Sequence, residues 1–392
     1  MFPIVSEKYD FVIGVDTHAK KHVATAISNK GVVLDQREFR VLEKEFCKFI
    51  DWAKEITKNH LSGNQLLTPS SKLDRSSNKS DQSSNKPDQP NHHPSPQSNP
   101  QSSHLLFAIE GTSSYGETLT NLLLSRGLEV VEVKPPKLKS RGARGKTDQI
   151  DSELAALSVL RLPVSKLIIP RTGELRKNLR VLLSSRRSMV SQRTMNKNAL
   201  IALLRGVDLG IDVRRALTLK QYQVIANWRV KKSDRHYDIK SEAKRLATSI
   251  IELSNNLDFN RQRLEVITIK LSPELLLEPG IGPVSLAQII CAYSHKGRIK
   301  SADAFVMLAG AAPIPASSGN TTRYRLNHYG DRQLNCSLTT IVISRIRTDQ
   351  RTQEYVAKRT KEGLDIRDIK RSLKRYLARS LFKKLENCVN LA

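Results

Sequence analysis

The stretch FVIGVDTHAKKHVATAISNKGVVLDQREF, residues 11–39, decides how the N-terminal part of the chain folds. It opens with the short apolar run FVIGVD, which ends in Asp16. The segment HVATAIS alternates apolar and polar residues, and GVVLDQREF begins at Gly31 after an Asn–Lys pair. Runs of this length joined by a two-residue turn are typical of a β-hairpin. The stretch therefore predicts three consecutive strands that pair as a meander.

Alternating helices and strands are predicted beyond this meander. VLEKEFCKFIDWAKEI spaces its apolar residues on one helical face. After a polar stretch come the apolar run LLFAIEG, a helix over YGETLTNLLLSRG, the strand LEVVEV and a helix that begins near Asp148. The order βββ–α–β–α–β–α is typical of a ribonuclease-H/RuvC-like α/β fold, in which parallel strands and crossover helices extend a meander. We expect residues 1–165 to form this domain.

A polar stretch, residues 62–103, interrupts this domain before the fourth strand. It is composed mainly of Ser, Asn, Gln, Pro and Asp, as in SSNKSDQSSNKPDQPNHHPSPQSNPQSS. A segment with so little apolar surface cannot offset its chain entropy by burial. We therefore predict a disordered insert.

The net charge indicates the class of partner. The 392 residues include 65 Lys and Arg against 38 Asp and Glu, which gives a net charge of +27 and a pI of about 10.1. This balance favours a polyanionic partner, although ribosomal, chromatin and membrane-surface proteins share it. Aromatic residues make up only 5% of the chain, so we expect phosphate contacts to dominate over base stacking.

Cysteine usage and hydropathy limit the remaining classes. The four cysteines are scattered, without a CxxC pair, which indicates reduced thiols and argues against a zinc site or a disulfide framework. The N-terminus lacks a signal-peptide pattern, and no apolar run approaches about 18 residues. We expect a soluble, cytoplasmic protein with no membrane partner.

Residues 172–271 are predicted to form a basic helical arm. Near its end, mostly apolar positions step by alternating fours and threes: Leu246, Ile250, Leu253, Leu257, Asn260, Leu264, Ile267 and Leu271. This heptad seam with one Asn is typical of a coiled coil whose polar residue fixes the register, and equally of an amphipathic helix in a bundle. Either structure would serve as a spacer or a dimerisation arm, and we expect a homodimer or homotetramer.

Residues 272–392 are predicted to form a mainly helical C-terminal domain. It opens with LLLEPGIGPVSLAQII, in which a GIG turn separates two apolar segments, a pattern typical of a helix-hairpin-helix. Gly280 and Gly282 would let backbone N–H groups approach a phosphate at the N-terminus of the next helix. The turn is a weak signal by itself and gains weight from the net charge.

Four carboxylates are expected to converge in the N-terminal domain. Asp16 ends the first strand and Glu110 ends the fourth, and these strands are neighbours in a ribonuclease-H-like sheet. Asp148 and Asp151 share one face of a helix that we expect to pack on the same edge. Such acids would repel one another unless divalent cations neutralise them, and two Mg²⁺ ions can clamp the attacking and leaving oxygens of a phosphoryl transfer.

Each acid alone also has a simpler interpretation, as a turn residue, a solvated strand end or a helix cap. His18 and His22 flank the first acid, and we interpret them as surface residues or as residues that support the metal ligands. A basic ribbon precedes the helix and is expected to contact nucleic-acid phosphates; its cations are Lys134, Lys137, Lys139, Arg141, Arg144 and Lys146.

At these motifs the chain resembles a known family. VDTHAKKHVATAI, AIEGTSSYG and KTDQIDSELAA resemble the N-terminal DEDD, RuvC-like domain of the transposases of IS-one-ten and IS-eleven-eleven insertion sequences. EPGIGPVSLAQII through FVMLAGAAPIPASSGNTTRYRLNHYGDRQLN is similar to that family's C-terminal transposase domain. The resemblance covers most of the chain outside the polar stretch.

The resemblance implies a recombinase that cuts and rejoins DNA, with a structured bridge RNA that selects the target and donor sites. It implies that the four acids bind Mg²⁺. It further implies that a serine of the ASSG motif forms a covalent link to DNA, which points to Ser318, with the adjacent Ser317 as the alternative.

Two other classes remain open at the level of the sequence. A RuvC-like junction nuclease would use the same four acids without the ASSG serine. A non-enzymatic nucleic-acid-binding protein would account for the net charge and leave the placement of the acids unexplained.

Overall fold

The computed structural model describes residues 3–64, 105–135, 147–171, 173–316, 324–325 and 327–388. The chain divides into two compact units, Met1–Arg171 and Thr172–Ala392. Within the described ranges, no helix combines the length and the apolar character that a membrane span requires.

The first unit is a mixed α/β structure. Its strands are β1 Phe11–Thr17, β2 Lys21–Ser28, β3 Val33–Arg40, β4 Leu105–Glu110 and β5 Glu129–Val133. Its helices are α1 Val5–Lys8, α2 Glu43–Asn64, α3 Glu117–Ser125 and α4 Asp148–Leu160, followed by a 3₁₀ turn at Val164–Lys166. The predicted order of three strands, then helices alternating with strands, is confirmed; the short α1 was not predicted.

These five strands form one sheet in the order β3-β2-β1-β4-β5. Strand β2 is antiparallel to both β1 and β3, which confirms the predicted meander, and β4 and β5 continue the sheet parallel to β1. Four residues, 29–32, connect β2 to β3, and Gly31 adopts φ +83°. The connection is therefore longer than the two-residue turn predicted from the sequence.

The strands alternate between two apolar faces because successive side chains point to opposite sides. Phe11, Ile13 and Val15 of β1 lie in the core beneath α2 and α3. Val12 lies in the opposite core, which α1 and α4 cover. Helix α2 ends at Asn64, beyond the predicted start of the insert at residue 62, and the rest of that predicted insert lies outside the described residues.

The second unit is largely helical, as predicted. Its helices are α5 Glu174–Gly206, α6 Leu219–Ala226, α7 Tyr237–Leu271, α8 Pro273–Leu276, α9 Pro283–Tyr293, α10 Ala302–Leu308, α11 Arg332–Thr348, α12 Gln350–Lys361 and α13 Ile366–Asn387. Two short strands, β6 Ile314–Pro315 and β7 Tyr324–Arg325, pair antiparallel. Residues of α5 and α7 share one core with those of α9, α11 and α13, so residues 172–271 and 272–392 lie in one compact unit.

The long helices α5 and α7 pack against each other. The heptad seam of α7 is covered in part by α5: Asn260 is 4% exposed, and its Nδ2 donates to the carbonyl of Leu182 at 3.0 Å. Near the other end, Asn196 Nδ2 donates to Ser249 Oγ at 3.0 Å. Residue 182 of α5 contacts residue 260 of α7, whereas residue 196 contacts residue 249, so the two helices run antiparallel. The seam therefore makes intrachain contacts, and the homodimer or homotetramer remains a prediction.

The PGIGP turn packs against α11. Gly280 adopts φ +77°, and a Cβ on it would lie 3.0 Å from the carbonyl oxygen of Ile341. Arg345 Nε donates to the carbonyl of Pro279 at 2.7 Å. The helix before the turn, α8, has only four residues, and Gly282 is the N-cap of α9, with no atom within 4 Å of an added Cβ.

Candidate metal centre

The ends of β1 and β4 bring the first two predicted acids to the same face of the sheet. The last parallel pair is Val15 with Ile109, and Asp16 and Glu110 follow these residues directly. Both acids alternate with residues of the core beneath α2 and α3, so both side chains belong to the face that α4 covers. Thr17 Oγ1 also donates to the backbone carbonyl of Glu110 at 2.8 Å, which ties the two strand ends together.

Helix α4 lies directly on β1 because residue 14 is a glycine. A Cβ on Gly14 would lie 2.1 Å from the carbonyl oxygen of Ser152 and 2.5 Å from the backbone nitrogen of Ala156. A side chain at this position would therefore push the helix off the strand. The close approach sets the distance between the N-terminal turn of α4 and the end of β1.

Polar contacts, one of them buried, hold the same helix on the meander. Ser152 Oγ lies 2.6 Å from Thr25 Oγ1 of β2, with both residues buried. Gln36 of β3 donates from Nε2 to Thr25 Oγ1 at 2.8 Å and to the carbonyl of Gln149 at 3.3 Å.

The N-cap of α4 is Thr147, whose Oγ1 accepts from the N–H of Ile150. Asp148 is therefore not the cap of this helix.

Asp16, His18 and Asp148 form a cluster that could hold a metal ion. His18 Nε2 lies 3.2 Å from Asp16 Oδ2 and 3.4 Å from Asp148 Oδ1. One potential ligand atom from each of the three residues lies within 4.8 Å of the other two. Asp16 is 6% exposed, so the simpler interpretation of this acid as a turn residue is wrong. Lys21 Nζ also approaches Asp148 Oδ2, at 3.7 Å, from the outer side.

The electrostatics of the cluster favour a bound cation. Burial raises the pKa of Asp16, contact with His18 lowers it, and the nearby carboxylates of Asp148 and Asp151 raise it further. Asp151 is itself 5% exposed. A divalent cation among these oxygens would offset both the desolvation and the repulsion.

His18 and His22 occupy different environments in the structure. The ring of His18 lies between two predicted metal ligands at distances that would allow it to bind the same ion. A sequence signal existed, since His18 follows Asp16 by only two positions in the VDTHAKKH motif. The surface interpretation of His22 is wrong: it is 1% exposed and its ring stacks on Phe46 with centroids 5.6 Å apart. Burial lowers the pKa of His22 to about 4.

The predicted basic ribbon and the ASSG motif lie largely outside the described residues. Lys134 is described, and it is exposed just after β5. The other ribbon cations and both candidate serines lie outside the described residues: Lys137, Lys139, Arg141, Arg144, Lys146, Ser317 and Ser318.

Two family models match the chain. Residues 96–208 match the IS110 DEDD model, described as Transposase, and residues 274–357 match the model described as Transposase IS116/IS110/IS902 family. Together the matches span about half of the chain. The protein is therefore a DNA transposase, an enzyme that recombines DNA.

In particular, the chain belongs to the IS110 family of insertion-sequence transposases. The DEDD family implies the use of a divalent metal, and the cluster around Asp16 supplies residues that fit one. A search of curated proteins finds no match to the chain.

Proposed function

We propose that the first unit is a RuvC-like catalytic domain in which Asp16, Glu110, Asp148 and Asp151 hold Mg²⁺. The observation that carries this proposal is the meeting of Asp16 from β1 with Asp148 from α4 at one imidazole. The strand order β3-β2-β1-β4-β5, with α4 laid over β1, supports the RuvC-like assignment. Glu110 follows the β4 residue paired with Val15, and Asp151 lies within electrostatic reach of Asp16.

The residues present fit Mg²⁺ through their oxygen donors, which hard divalent cations prefer. The metal would supply positive charge at the oxygens whose bonds to phosphorus form and break. The four carboxylates would bind and orient it, and His18 would position Asp16 and Asp148 through its contacts with both. Lys134 and the rest of the basic ribbon would contact the phosphate backbone of DNA.

The proposed reaction is recombination through a serine ester. The hydroxyl of Ser318 would lose its proton and its oxygen would bond to phosphorus while a deoxyribose oxygen leaves and takes up a proton. Ser317 is the alternative nucleophile. The match of residues 274–357 to a transposase model and the pairing of β6 with β7 on either side of the ASSG motif support this assignment.

The proposed partners are the DNA of the element ends and target, together with a structured bridge RNA that selects them. The chain has 65 basic residues against 38 acidic ones, and this excess of positive charge supports a polyanionic partner. The N-terminus of α9 at Gly282, in the predicted helix-hairpin-helix, would offer backbone N–H groups to one phosphate.

The proposal is tested on DNA that carries the element ends, with the RNA transcribed from the noncoding DNA beside the gene. Metal-dependent strand cleavage is expected, and digestion followed by mass spectrometry should find a nucleotide on Ser318. Asp16→Asn should abolish cleavage, whereas Asp51→Asn, an exposed acid of α2, should not.

The outcomes separate the three classes of function. Cleavage without an adduct, retained by Ser318→Ala and Ser317→Ala, would replace the proposal with a junction nuclease. Tight binding without cleavage in any divalent metal would leave a nucleic-acid-binding protein. An adduct on Ser317 would change the nucleophile and keep the mechanism.

A further inference from the structure

A basic cavity of about 700 Å³ lies within the second unit, between the β6–β7 pair, α11 and α13. Five of its lining residues are Lys or Arg and one is an acid: Arg325, Arg332, Arg371, Lys374, Arg375 and Asp368. His328 adds an imidazole to the lining. The cavity therefore concentrates positive charge in a concave surface, where low-dielectric walls strengthen the potential.

The floor of the cavity is fixed by two glycines that cross in direct contact. A Cβ on Gly330 would lie 2.4 Å from the backbone nitrogen of Gly310, which itself adopts φ +63°. Asn335 Nδ2 donates to the carbonyl of Ala309 at 2.7 Å. The backbone N–H of Asp331 donates to the carbonyl of Leu308 at 2.6 Å. These contacts hold the loop after α10 against the start of α11, so the cavity is preorganised.

One cation of the cavity, Arg371, pairs with a carboxylate that also lines it. Arg371 Nη1 donates to Asp368 Oδ1 at 2.5 Å. Lys374 is half-buried, and its Nζ donates to the neutral amide oxygen of Asn335 at 3.1 Å. Among the described residues, no ion pair joins Lys374, Arg332 or Arg375 to an acid. The pKa of Lys374 is lowered by burial and by Arg371. An anion in the cavity would compensate these charges.

We propose that this cavity binds the phosphodiester backbone of a nucleic-acid strand, with Arg371, Lys374 and Arg375 as its main phosphate contacts. Arg371, Lys374 and Arg375 lie at positions i, i+3 and i+4 on one face of α13, and Arg325 and Arg332 face them from β7 and α11. This spread of five cations suits a chain of phosphates better than one isolated anion. Tyr324, 65% exposed on the rim, offers a ring on which a base can stack. Because β6 and β7 flank the ASSG motif, we expect the bound strand to take part in recombination, and this role rests on the proposed function. Binding of the strand does not depend on the proposed function.

The test compares two triple variants with the same change in net charge. The cavity variant is Arg371→Gln/Lys374→Gln/Arg375→Gln. The control is Arg214→Gln/Arg215→Gln/Lys220→Gln, three exposed cations around the start of α6. Both are made in the full chain with Asp16→Asn and assayed in EDTA, so failure of the metal chemistry cannot alter the result. The probes are labelled single-stranded DNA, duplex DNA and RNA of one sequence. Fluorescence anisotropy measures their affinity for each variant across a salt series.

The cavity variant should lose about tenfold or more in affinity, and its log–log salt slope should fall in magnitude by about 2, at about 0.7–0.9 per lost phosphate. The probe with the largest loss identifies the bound strand. Equal affinities and slopes for the two triple variants on all three probes would overturn the proposal and leave the proposed function standing. Arg371→Lys/Arg375→Lys keeps the charge and should keep the slope; loss of slope in this variant would show a structural role instead.

Discussion

Asp16 is a buried carboxylate whose charged form the folded chain disfavours, since burial, Asp148 and Asp151 all raise its pKa. A raised carboxylate pKa lowers stability at neutral pH, where the group is ionised, and has no effect below the pKa of the unfolded chain. Asp16→Asn should therefore keep or raise the melting temperature at neutral pH. Millimolar Mg²⁺ should raise the melting temperature of the wild-type chain and not that of Asp16→Asn, because binding to the native state alone stabilises it.

Differential scanning fluorimetry with and without Mg²⁺ measures both effects. Asp51→Asn removes an exposed acid from α2 and should respond to Mg²⁺ as the wild-type chain does. An equal Mg²⁺ shift in Asp16→Asn would show that this carboxylate is not a metal ligand.

His22 predicts a pH dependence of opposite sign. Its pKa falls from its ordinary 6.5 to about 4 through burial, so between these values the unfolded chain binds more protons at this site than the folded chain. The stability that depends on neutral His22 is present above about pH 6.5 and is lost as the pH falls through 4. His22→Phe keeps a ring against Phe46 and cannot be protonated, so it should flatten the acid loss of stability.

Urea unfolding followed by circular dichroism at neutral pH and near pH 5 gives the comparison. Asp16 is present in both chains, so its titration cancels in the difference. Parallel loss of stability in the two chains would show that His22 does not control the acid response.

Among the elements, α4 and β1 depend on each other through Gly14. A Cβ there would lie 2.1 Å from a backbone oxygen of α4 and would force the helix away. Overpacking of this kind costs about 1–3 kcal/mol, and the backbone contact places Gly14→Ala at the upper end. Because Asp148 and Asp151 move with α4, cleavage should be lost even at temperatures where the variant is folded.

The matched control is Gly206→Ala, at the last residue of α5, where no atom lies within 4 Å of an added Cβ. This change should leave stability within about 0.5 kcal/mol or raise it slightly, because Ala favours helix more than Gly. Chemical denaturation measures stability and a DNA cleavage assay measures activity. Wild-type cleavage by folded Gly14→Ala would separate the helix contact from the site.

The elements themselves could largely be predicted from the sequence, because apolar periodicity reports which face of a segment is buried. Apolar runs that stop at an acid predicted the end of β4 at Glu110 and placed the end of β1 at Asp16, one residue before its last residue, Thr17. The identity of the covering element could not be predicted: the seam through Asn260 shows the same spacing whether α5 or a second chain covers it. The approach of α4 to Gly14 is a tertiary contact with no local signal beyond a glycine in a strand.

At the scale of the whole molecule, the metal centre and the basic cavity are both built from residues that are distant in sequence, so their assembly could not be predicted from the sequence. Net charge predicts a polyanionic partner, but it does not show that Arg332 and Lys374, 42 positions apart, line one cavity. The contact of Gly310 with Gly330, which lies in the cavity lining, likewise has no signal in the sequence. Charge distribution depends on packing, so it follows only from the three-dimensional structure.

The salt dependence of binding tests whether the phosphate contacts lie outside residues 65–104. Affinity for duplex DNA should fall with salt by about 0.9 log units per log unit for each neutralised phosphate. Deletion of residues 65–104 removes four Lys or Arg and three Asp, so the net charge changes only from +27 to +26. Because this stretch lacks a basic cluster, the shortened chain should keep both the affinity and the slope. Fluorescence anisotropy across a salt series measures the two quantities for each chain. A nearly flat slope in the full chain would show that phosphate contacts are not its main binding device, whereas a shallower slope after deletion would assign phosphate contacts to residues 65–104.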